Sequence, residues 1–164
     1  MDGANLKEAM FGAGCFWGVQ DFFDSTKGVV ETEVGYAGGS TDSSQAALTY
    51  KEVCTGKTGH AEVVHLWYDP GVITYDQLLR VFFENHDPTT PNRRGPDRGS
   101  QYRSAIFYYN DEQKELAGKS KEESNKLKKF MNPIVTEIVP ASRFYKAEEY
   151  HQKYFEKTGQ KICH

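Results

Sequence analysis

Hydrophobic positions along the chain follow two periods, one typical of strands and one typical of helices. Alternating or continuous apolar runs bounded by glycine, proline or asparagine predict five strands: "KEAMFGAG", "GVVETEVGYAGG", "GHAEVVHLWYDP", "RSAIFYYN" and "PIVTEIVP". Apolar residues three or four positions apart predict four helices: "CFWGVQDFFDST", "TYDQLLRVFFENHD", "DEQKELAGKSKEESNKLKKFM" and "KAEEYHQKYFEKTG". The final "QKICH" is predicted to be a free tail.

The second helix has the most complete pattern. Thr74 is a suitable N-cap, and four apolar residues fall on one face of the helix. They are Leu78, Leu79, Phe82 and Phe83. The order of elements is β-α-β twice, then a helix and a further strand. It predicts an α+β fold in which helices pack on a mixed, mostly antiparallel sheet as a two-layer sandwich. At 164 residues the chain is expected to form one domain, 1–164.

The segment "HDPTTPNRRGPDRGSQY" has no hydrophobic period, and structureless loops of this length are often functional. It contains or adjoins four arginines, which favour two interpretations equally. They form an anion site, or they belong to a solvated loop with ion pairs to Asp87 and Asp97. The four are Arg93, Arg94, Arg98 and Arg103.

Composition narrows the function. A net charge of −3 gives no electrostatic case for nucleic acid as a partner, and no apolar run is long enough for a membrane span. The N-terminus has no secretory pattern. Three cysteines do not make a disulfide framework, so a reducing cytoplasm is expected. In that compartment each thiol is a candidate for chemistry.

Cys15 falls where a glycine turn meets a predicted helix. Backbone N–H groups at a helix N-terminus lower the pKa of a thiol, so Cys15 is a candidate nucleophile. Phe16 and Trp17 would then wall an apolar pocket beside it. The competing interpretation is a buried cysteine with ordinary core aromatics as neighbours.

Glu62 lies on an apolar strand and shares its face with Val64 and Leu66. A carboxyl in such a setting has a raised pKa and serves as a general acid, unless it faces water at a strand edge. His60 and His65 are five residues apart, which does not fit a zinc motif, so no metal is expected. "GYAGG" also does not fit the dinucleotide fingerprint.

"GCFWG", "GYAGG", "TGHAEVVHLWYDP", "HDPTTPNRRGPDRGSQYRSAI" and "AEEYHQKYF", in this order, resemble peptide methionine sulfoxide reductase of the A type. The resemblance extends from about residue 10 to residue 163. It implies a mixed α/β sandwich with a βαβ-type core and long loops. It also implies reduction of the S epimer of methionine sulfoxide, free or in proteins, without a metal or organic cofactor.

The same resemblance implies roles for individual residues. Cys15 attacks the sulfoxide sulfur, and Glu62 protonates or hydrogen-bonds the sulfoxide oxygen. The hydroxyls of Tyr50 and Tyr102 bind the same oxygen. The aromatic side chains of Phe16 and Trp17 receive the methyl group, and the Asp97 carboxylate belongs to the substrate loop.

Attack leaves Cys15 as a sulfenic acid, which condenses readily with a second thiol. Cys163 is the best candidate for that thiol, with thioredoxin or a similar dithiol regenerating the enzyme. The tail "KTGQKICH" is short, so direct reduction by an external thiol stays open. Cys54 is interpreted as a buried structural thiol, and a monomer is expected.

Three other functions remain compatible with parts of the sequence. A thiol peroxidase would use the same cysteine but would not need Trp17 or a protonated Glu62. A cysteine hydrolase would need a histidine base beside Cys15. A binding module would recognise methionine sulfoxide without turnover.

Overall fold

A computed structural model describes residues 6–14, 16–38, 60–86, 88–89, 93–94, 97–98, 103–126, 133–141, 144–148 and 152. These residues form a large sheet, a small two-stranded sheet and three helices. In chain order the elements are β1 (Lys7–Ala13), α1 (Phe16–Asp24), β2 (Val29–Ala37), β3 (Ala61–Tyr68), α2 (Tyr75–Glu84), β4 (Arg93–Arg94), β5 (Asp97–Arg98), β6 (Ser104–Tyr108), α3 (Asp111–Lys126), β7 (Glu137–Pro140) and β8 (Tyr145–Lys146).

The large sheet has six strands in the order β7-β6-β1-β3-β2-β8. The β6–β7 pair is parallel, and the other neighbours are antiparallel. Because β3 lies between β1 and β2, and β1 lies between β3 and β6, the units β1–α1–β2 and β3–α2–β6 are interlocked split βαβ units. The predicted mixed sheet with a βαβ-type core is confirmed.

The main core lies between the sheet and the helices. In α1 the helical spacing buries Phe16, Val19 and Phe23 against the sheet. Helix α2 starts with the predicted N-cap, since the Thr74 hydroxyl accepts a hydrogen bond from the Gln77 backbone N–H. The Gln77 side chain accepts one from the Thr74 backbone N–H, which completes a capping box. The four inward apolar residues predicted for this helix are all buried.

The opposite face of the sheet holds a smaller apolar cluster. Its buried members are Met10, Ala37, Ala61, Val63, Ala105 and Phe107. The side chains of Val139, Ala141 and Phe144 pack against it. The sheet is therefore buried on both faces, which explains why its central strands are nearly continuous apolar runs.

Two predicted features are wrong. The prediction of "PIVTEIVP" as the last strand fails, because β8 follows it and pairs with β2. Lys146, predicted to begin a helix, is in that strand, whereas most of the rest of this predicted helix and the tail lie outside the described residues.

The aperiodic segment "HDPTTPNRRGPDRGSQY" contains the short antiparallel pair β4–β5. Strands of two residues are too short to produce a hydrophobic period, so the sequence pattern does not reveal them.

Within the described ranges, no helix is both long enough and apolar enough to cross a lipid bilayer.

Candidate active site

The predicted junction of strand, glycine turn and helix is present on both sides of Cys15. Strand β1 ends at Ala13, and helix α1 begins at Phe16. Between them Gly14 has a φ of 92°, a left-handed conformation that glycine adopts without strain. Cys15 itself lies outside the described residues. Also outside them are the predicted site residues Tyr50, Tyr102 and Cys163, together with Cys54, which was interpreted as a structural thiol.

Among the predicted site residues, Glu62 has the most clearly defined position in the structure. Because β1 and β3 are antiparallel, the end of β1 and the start of β3 lie at the same edge of the sheet. The Glu62 side chain is buried with a residue exposure of 1 %, and its Oε1 accepts a hydrogen bond of 3.2 Å from the Phe16 backbone N–H. The interpretation of Glu62 as a water-facing carboxylate is therefore wrong. The carboxyl group lies at the N-terminus of α1, next to the residue that follows Cys15.

Aromatic side chains pack beside this carboxyl group. The Phe16 ring is fully buried, 5.6 Å from the Tyr36 ring and 6.5 Å from the Trp17 ring between centroids. Trp17 keeps part of its surface exposed. Tyr36 is opposite Glu62 in the β2–β3 ladder and is itself fully buried. The sequence motifs assign no role to Tyr36, although its position in an alternating strand is a usable signal of burial.

The sequence profile of the family described as "Peptide methionine sulfoxide reductase" matches residues 7–164 of this chain. The chain belongs to the peptide methionine sulfoxide reductase family. The peptide methionine sulfoxide reductase MsrA of Methanosarcina acetivorans is 58 % identical over 157 residues, which are 96 % of this chain and 81 % of that protein. The chain is accordingly an oxidoreductase that acts on methionine sulfoxide.

Solved structures agree with this family assignment. Mxr1 from Saccharomyces cerevisiae in its reduced form superimposes with a TM-score of 0.92 at 42 % identity, covering 99 % of this chain and 91 % of that one. A structure of Mxr1 in complex with Trx2 gives a TM-score of 0.64 at 30 % identity, covering 93 % and 87 %.

In this methionine sulfoxide reductase, Arg103 lies just before β6, whose first residue, Ser104, is opposite Ala13 at the end of β1. Its guanidinium donates a hydrogen bond of 3.4 Å to the Gly38 carbonyl and forms an ion pair of 3.5 Å with Glu137. Arg103 therefore links the end of β2 to β7. The predicted anion site and the ion pairs with Asp87 and Asp97 involve side chains outside the described part of the chain, so they stay predictions. Asp97, predicted to belong to the substrate loop, is the first residue of β5.

The two histidines of "GHAEVVH" lie in separate environments. His60 is buried edge-on against the Tyr145 ring at 5.4 Å. Burial lowers the pKa of His60, and the positive charge of Arg103 lowers it further, while a backbone hydrogen bond with Ala37 opposes the change. His65 instead lies 2.9 Å from a Glu8 carboxylate oxygen.

A buried hydrogen-bond chain supports the same edge of the sheet in this reductase. Since a carbonyl only accepts, His86 Nδ1 donates to the Phe82 carbonyl at 2.6 Å, and in the neutral ring Nε2 accepts from the Ser104 hydroxyl at 2.8 Å. Ser104 also contacts the Thr136 hydroxyl at 2.8 Å. Ser104 is opposite Ala13, two residues before Cys15. These hydrogen bonds hold β6 beside the glycine turn. No sequence motif connects the residues that form them.

Proposed function

We propose that this enzyme reduces methionine-S-sulfoxide, in proteins or as the free amino acid, with Cys15 as nucleophile and Glu62 as general acid. The observation that carries the proposal is the hydrogen bond from the Phe16 N–H to Glu62 Oε1. This bond holds a buried carboxyl group beside the residue that follows Cys15. A sulfoxide oxygen needs a proton as its bond to sulfur breaks, and a carboxyl group held at this point supplies it.

The proposed chemistry is a net oxygen transfer from methionine sulfoxide to Cys15. The Cys15 thiolate attacks the sulfoxide sulfur and forms an S–S bond, while Glu62 protonates the oxygen, which takes up a second proton and leaves as water as the S–O bond breaks. A water molecule then adds its oxygen to the Cys15 sulfur and releases a proton, and the S–S bond breaks with its electron pair going to the methionine sulfur. The products are the methionine thioether and a Cys15 sulfenic acid, so methionine is reduced by two electrons and Cys15 is oxidised by two. The family resemblance supports Tyr50 and Tyr102 as further hydrogen-bond donors to the oxygen.

The substrate methyl group needs an apolar wall. Trp17 is the more accessible of the two proposed aromatics, since Phe16 is fully buried in the core. We therefore assign Trp17 to direct contact with the methyl group and Phe16 to support of that wall. Asp97, in β5, is proposed to belong to the substrate loop.

Recycling is proposed to use thiols alone. Cys163 condenses with the sulfenic acid to release water and form a disulfide, and an external dithiol reduces that disulfide. The likeness to Mxr1 in complex with Trx2 supports thioredoxin as this dithiol. Electrons then come from thiols, so no metal or organic cofactor is required. A monomer in the cytoplasm is the proposed setting.

An activity assay with dithiothreitol as the reductant tests the proposal. The parent protein and Cys15→Ser are mixed with dithiothreitol and either the S or the R epimer of dabsylated methionine sulfoxide. Thioether is expected from the S epimer with the parent and not with Cys15→Ser, whereas the control Cys54→Ser keeps its activity. Thioether production by Cys15→Ser contradicts the nucleophile. Binding without product supports a binding module, and peroxide consumption or ester cleavage without thioether supports a peroxidase or hydrolase.

A further inference from the structure

A cavity of about 240 Å³ lies at the opposite edge of the sheet from Glu62. It is formed where β1 begins, β3 ends, and the N-termini of α2 and α3 meet. Glu62 and Tyr68 are at the two ends of β3, roughly 20 Å apart at the rise of a strand, so the cavity is separate from the reductase site. Its lining residues are Leu6, Lys7, Glu8, Tyr68, Tyr75, Tyr109, Asn110, Glu112 and Gln113.

Three tyrosines form the aromatic part of the cavity. Tyr75 is only 6 % exposed, and its hydroxyl has no hydrogen-bond partner among the described residues. The Tyr68 ring is 6.5 Å from the Tyr75 ring, and Tyr109, at 38 % exposure, is the most accessible of the three. A buried hydroxyl without a partner is unfavourable, so a ligand that hydrogen-bonds to Tyr75 removes this cost.

The charges of the lining favour a cation. Glu8 and Glu112 contribute two carboxylates and Lys7 contributes one ammonium, so the lining has a formal charge of −1 while His65, which lies 2.9 Å from the Glu8 carboxylate, is neutral. Burial raises the pKa of Tyr109 to about 12, and the nearby Glu8 carboxylate adds a smaller rise.

The nearby N-terminus of α3 does not offer an anion site. Asn110 caps it, because the Asn110 side-chain oxygen accepts a hydrogen bond of 2.9 Å from the Gln113 N–H. Two acidic residues, Asp111 and Glu112, occupy its first turn, and their negative charges compensate the positive end of the helix dipole.

We propose that this cavity binds a compact primary ammonium ion. The ammonium donates to the Tyr75 hydroxyl and the Glu112 carboxylate, and its charge lies over the Tyr68 and Tyr109 rings. The ligand enters past Tyr109, the exposed ring. The volume is below the roughly 300–1,000 Å³ typical of sites for drug-sized ligands, so it suits a head group with a few carbons.

Calorimetric titration of the full chain tests the proposal with four probes. n-Butylammonium carries the proposed group, tetramethylammonium lacks N–H donors, and acetate has the opposite charge. Nα-acetyl-lysine N-methylamide presents the same ammonium as a peptide side chain, so comparison with n-butylammonium distinguishes a small amine from a lysine side chain. Both ammonium-bearing probes are tested against the parent, Tyr75→Phe, Glu112→Gln and the matched control Glu115→Gln on the same helix.

Saturable n-butylammonium binding is expected. Tyr75→Phe and Glu112→Gln each weaken it about tenfold or more, as is typical for hydrogen bonds to charged groups. Glu115→Gln leaves it unchanged, and Tyr75→Phe leaves any tetramethylammonium binding unchanged. Absence of n-butylammonium binding, tighter binding of acetate, or equal n-butylammonium affinity in the parent and Tyr75→Phe overturns the proposal. Folding of each variant is checked by its sulfoxide reductase activity, which depends on the opposite edge of the sheet.

Discussion

At the residue scale, the chemistry proposed for Glu62 depends on its proton. The variant Glu62→Gln keeps the size of the side chain and an oxygen that accepts from the Phe16 N–H, so the fold is expected to survive. The amide does not release a proton at neutral pH, and the single-turnover rate of sulfoxide reduction is expected to fall by about 10²–10⁴-fold. Stopped-flow mixing with methionine-S-sulfoxide at pH 7 measures this rate.

The exposed strand glutamate Glu31 supplies the control for that measurement. Glu31→Gln is expected to react at the parental rate. Equal single-turnover rates for Glu62→Gln and the parent would remove Glu62 from the chemistry and leave it a structural acceptor for the N-terminus of α1.

The tyrosine cavity gives a second residue-scale prediction, on alkaline stability. Burial raises the pKa of Tyr109 from 10.0 to about 12, so between these values the phenol ionises in the unfolded chain before it does in the folded one. The stabilisation is present below about pH 10 and is lost as the pH rises through about 12. Because Tyr109 is 38 % exposed, solvent screening reduces its contribution to about 1 kcal/mol.

Urea unfolding at pH 9 and pH 12 tests this prediction. The parent is expected to lose more unfolding free energy between the two values than Tyr109→Phe does. The same loss in both proteins would show that the Tyr109 phenol ionises at the same pH in the folded and unfolded chains.

Single residues differ in how far the sequence predicts their role. The burial of Glu62 follows from alternation, since Val64 and Leu66 share its face and are fully buried. Its hydrogen bond to the Phe16 N–H joins residues 46 positions apart, and it depends on the register of strands that the alternation pattern does not specify. The Tyr75 hydroxyl is a similar case, because its helix position predicts burial but not the lack of a partner.

At the element scale, close contact between β2 and β8 depends on Gly35. A Cβ placed there would come within 2.3 Å of the Tyr145 carbonyl oxygen and 2.6 Å of the Phe144 ring. Gly35→Ala is therefore expected to displace β8 and to lower the free energy of unfolding by about 1–3 kcal/mol, the usual range for overpacking. Urea denaturation followed by circular dichroism measures the change.

Gly118 is the matched control, because it lies in α3 and a Cβ there would meet nothing within 4 Å. Gly118→Ala is expected to raise the free energy of unfolding by roughly 0.5–1 kcal/mol, since alanine loses less backbone entropy in a helix. If Gly35→Ala did not lower the free energy of unfolding, the contact of Gly35 with β8 would not control stability.

Elements of five or more residues repeat their hydrophobic period often enough to be predicted, as α2 illustrates with its cap and buried face. Strand β8 has two residues, and what defines it is the fit of the Tyr145 backbone to the glycine in β2. That fit is a tertiary contact, which explains why the local pattern predicted a helix from Lys146.

At the scale of the whole molecule, two interlocked βαβ units bring the end of β1 and the start of β3 to one edge of the sheet. The same topology sends the start of β1 and the end of β3 to the other edge, where the tyrosine cavity lies. The element order predicted this class of fold, but several strand orders share that element order. The family motifs, rather than hydrophobic periodicity, are what connect Cys15 with Glu62 in the sequence.

Recycling also involves the molecule as a whole, because the proposed resolving residue, Cys163, is far from Cys15 in the sequence. The entropic cost of closing a loop grows slowly with its length, so this separation does not prevent a disulfide between the two thiols. Cys163→Ser is expected to lower thioredoxin-driven turnover sharply while dithiothreitol-driven turnover largely survives, because dithiothreitol reduces the sulfenic acid directly. Cys54→Ser, the control, is expected to keep both activities.

Mass spectrometry gives a direct test of the resolving thiol. After one equivalent of methionine sulfoxide without reductant, the alkylated parent is expected to show a Cys15–Cys163 cross-linked peptide. A Cys15–Cys54 peptide would assign the resolving role to Cys54, and a Cys15 trapped by dimedone with both other thiols alkylated would rule out an internal resolving thiol.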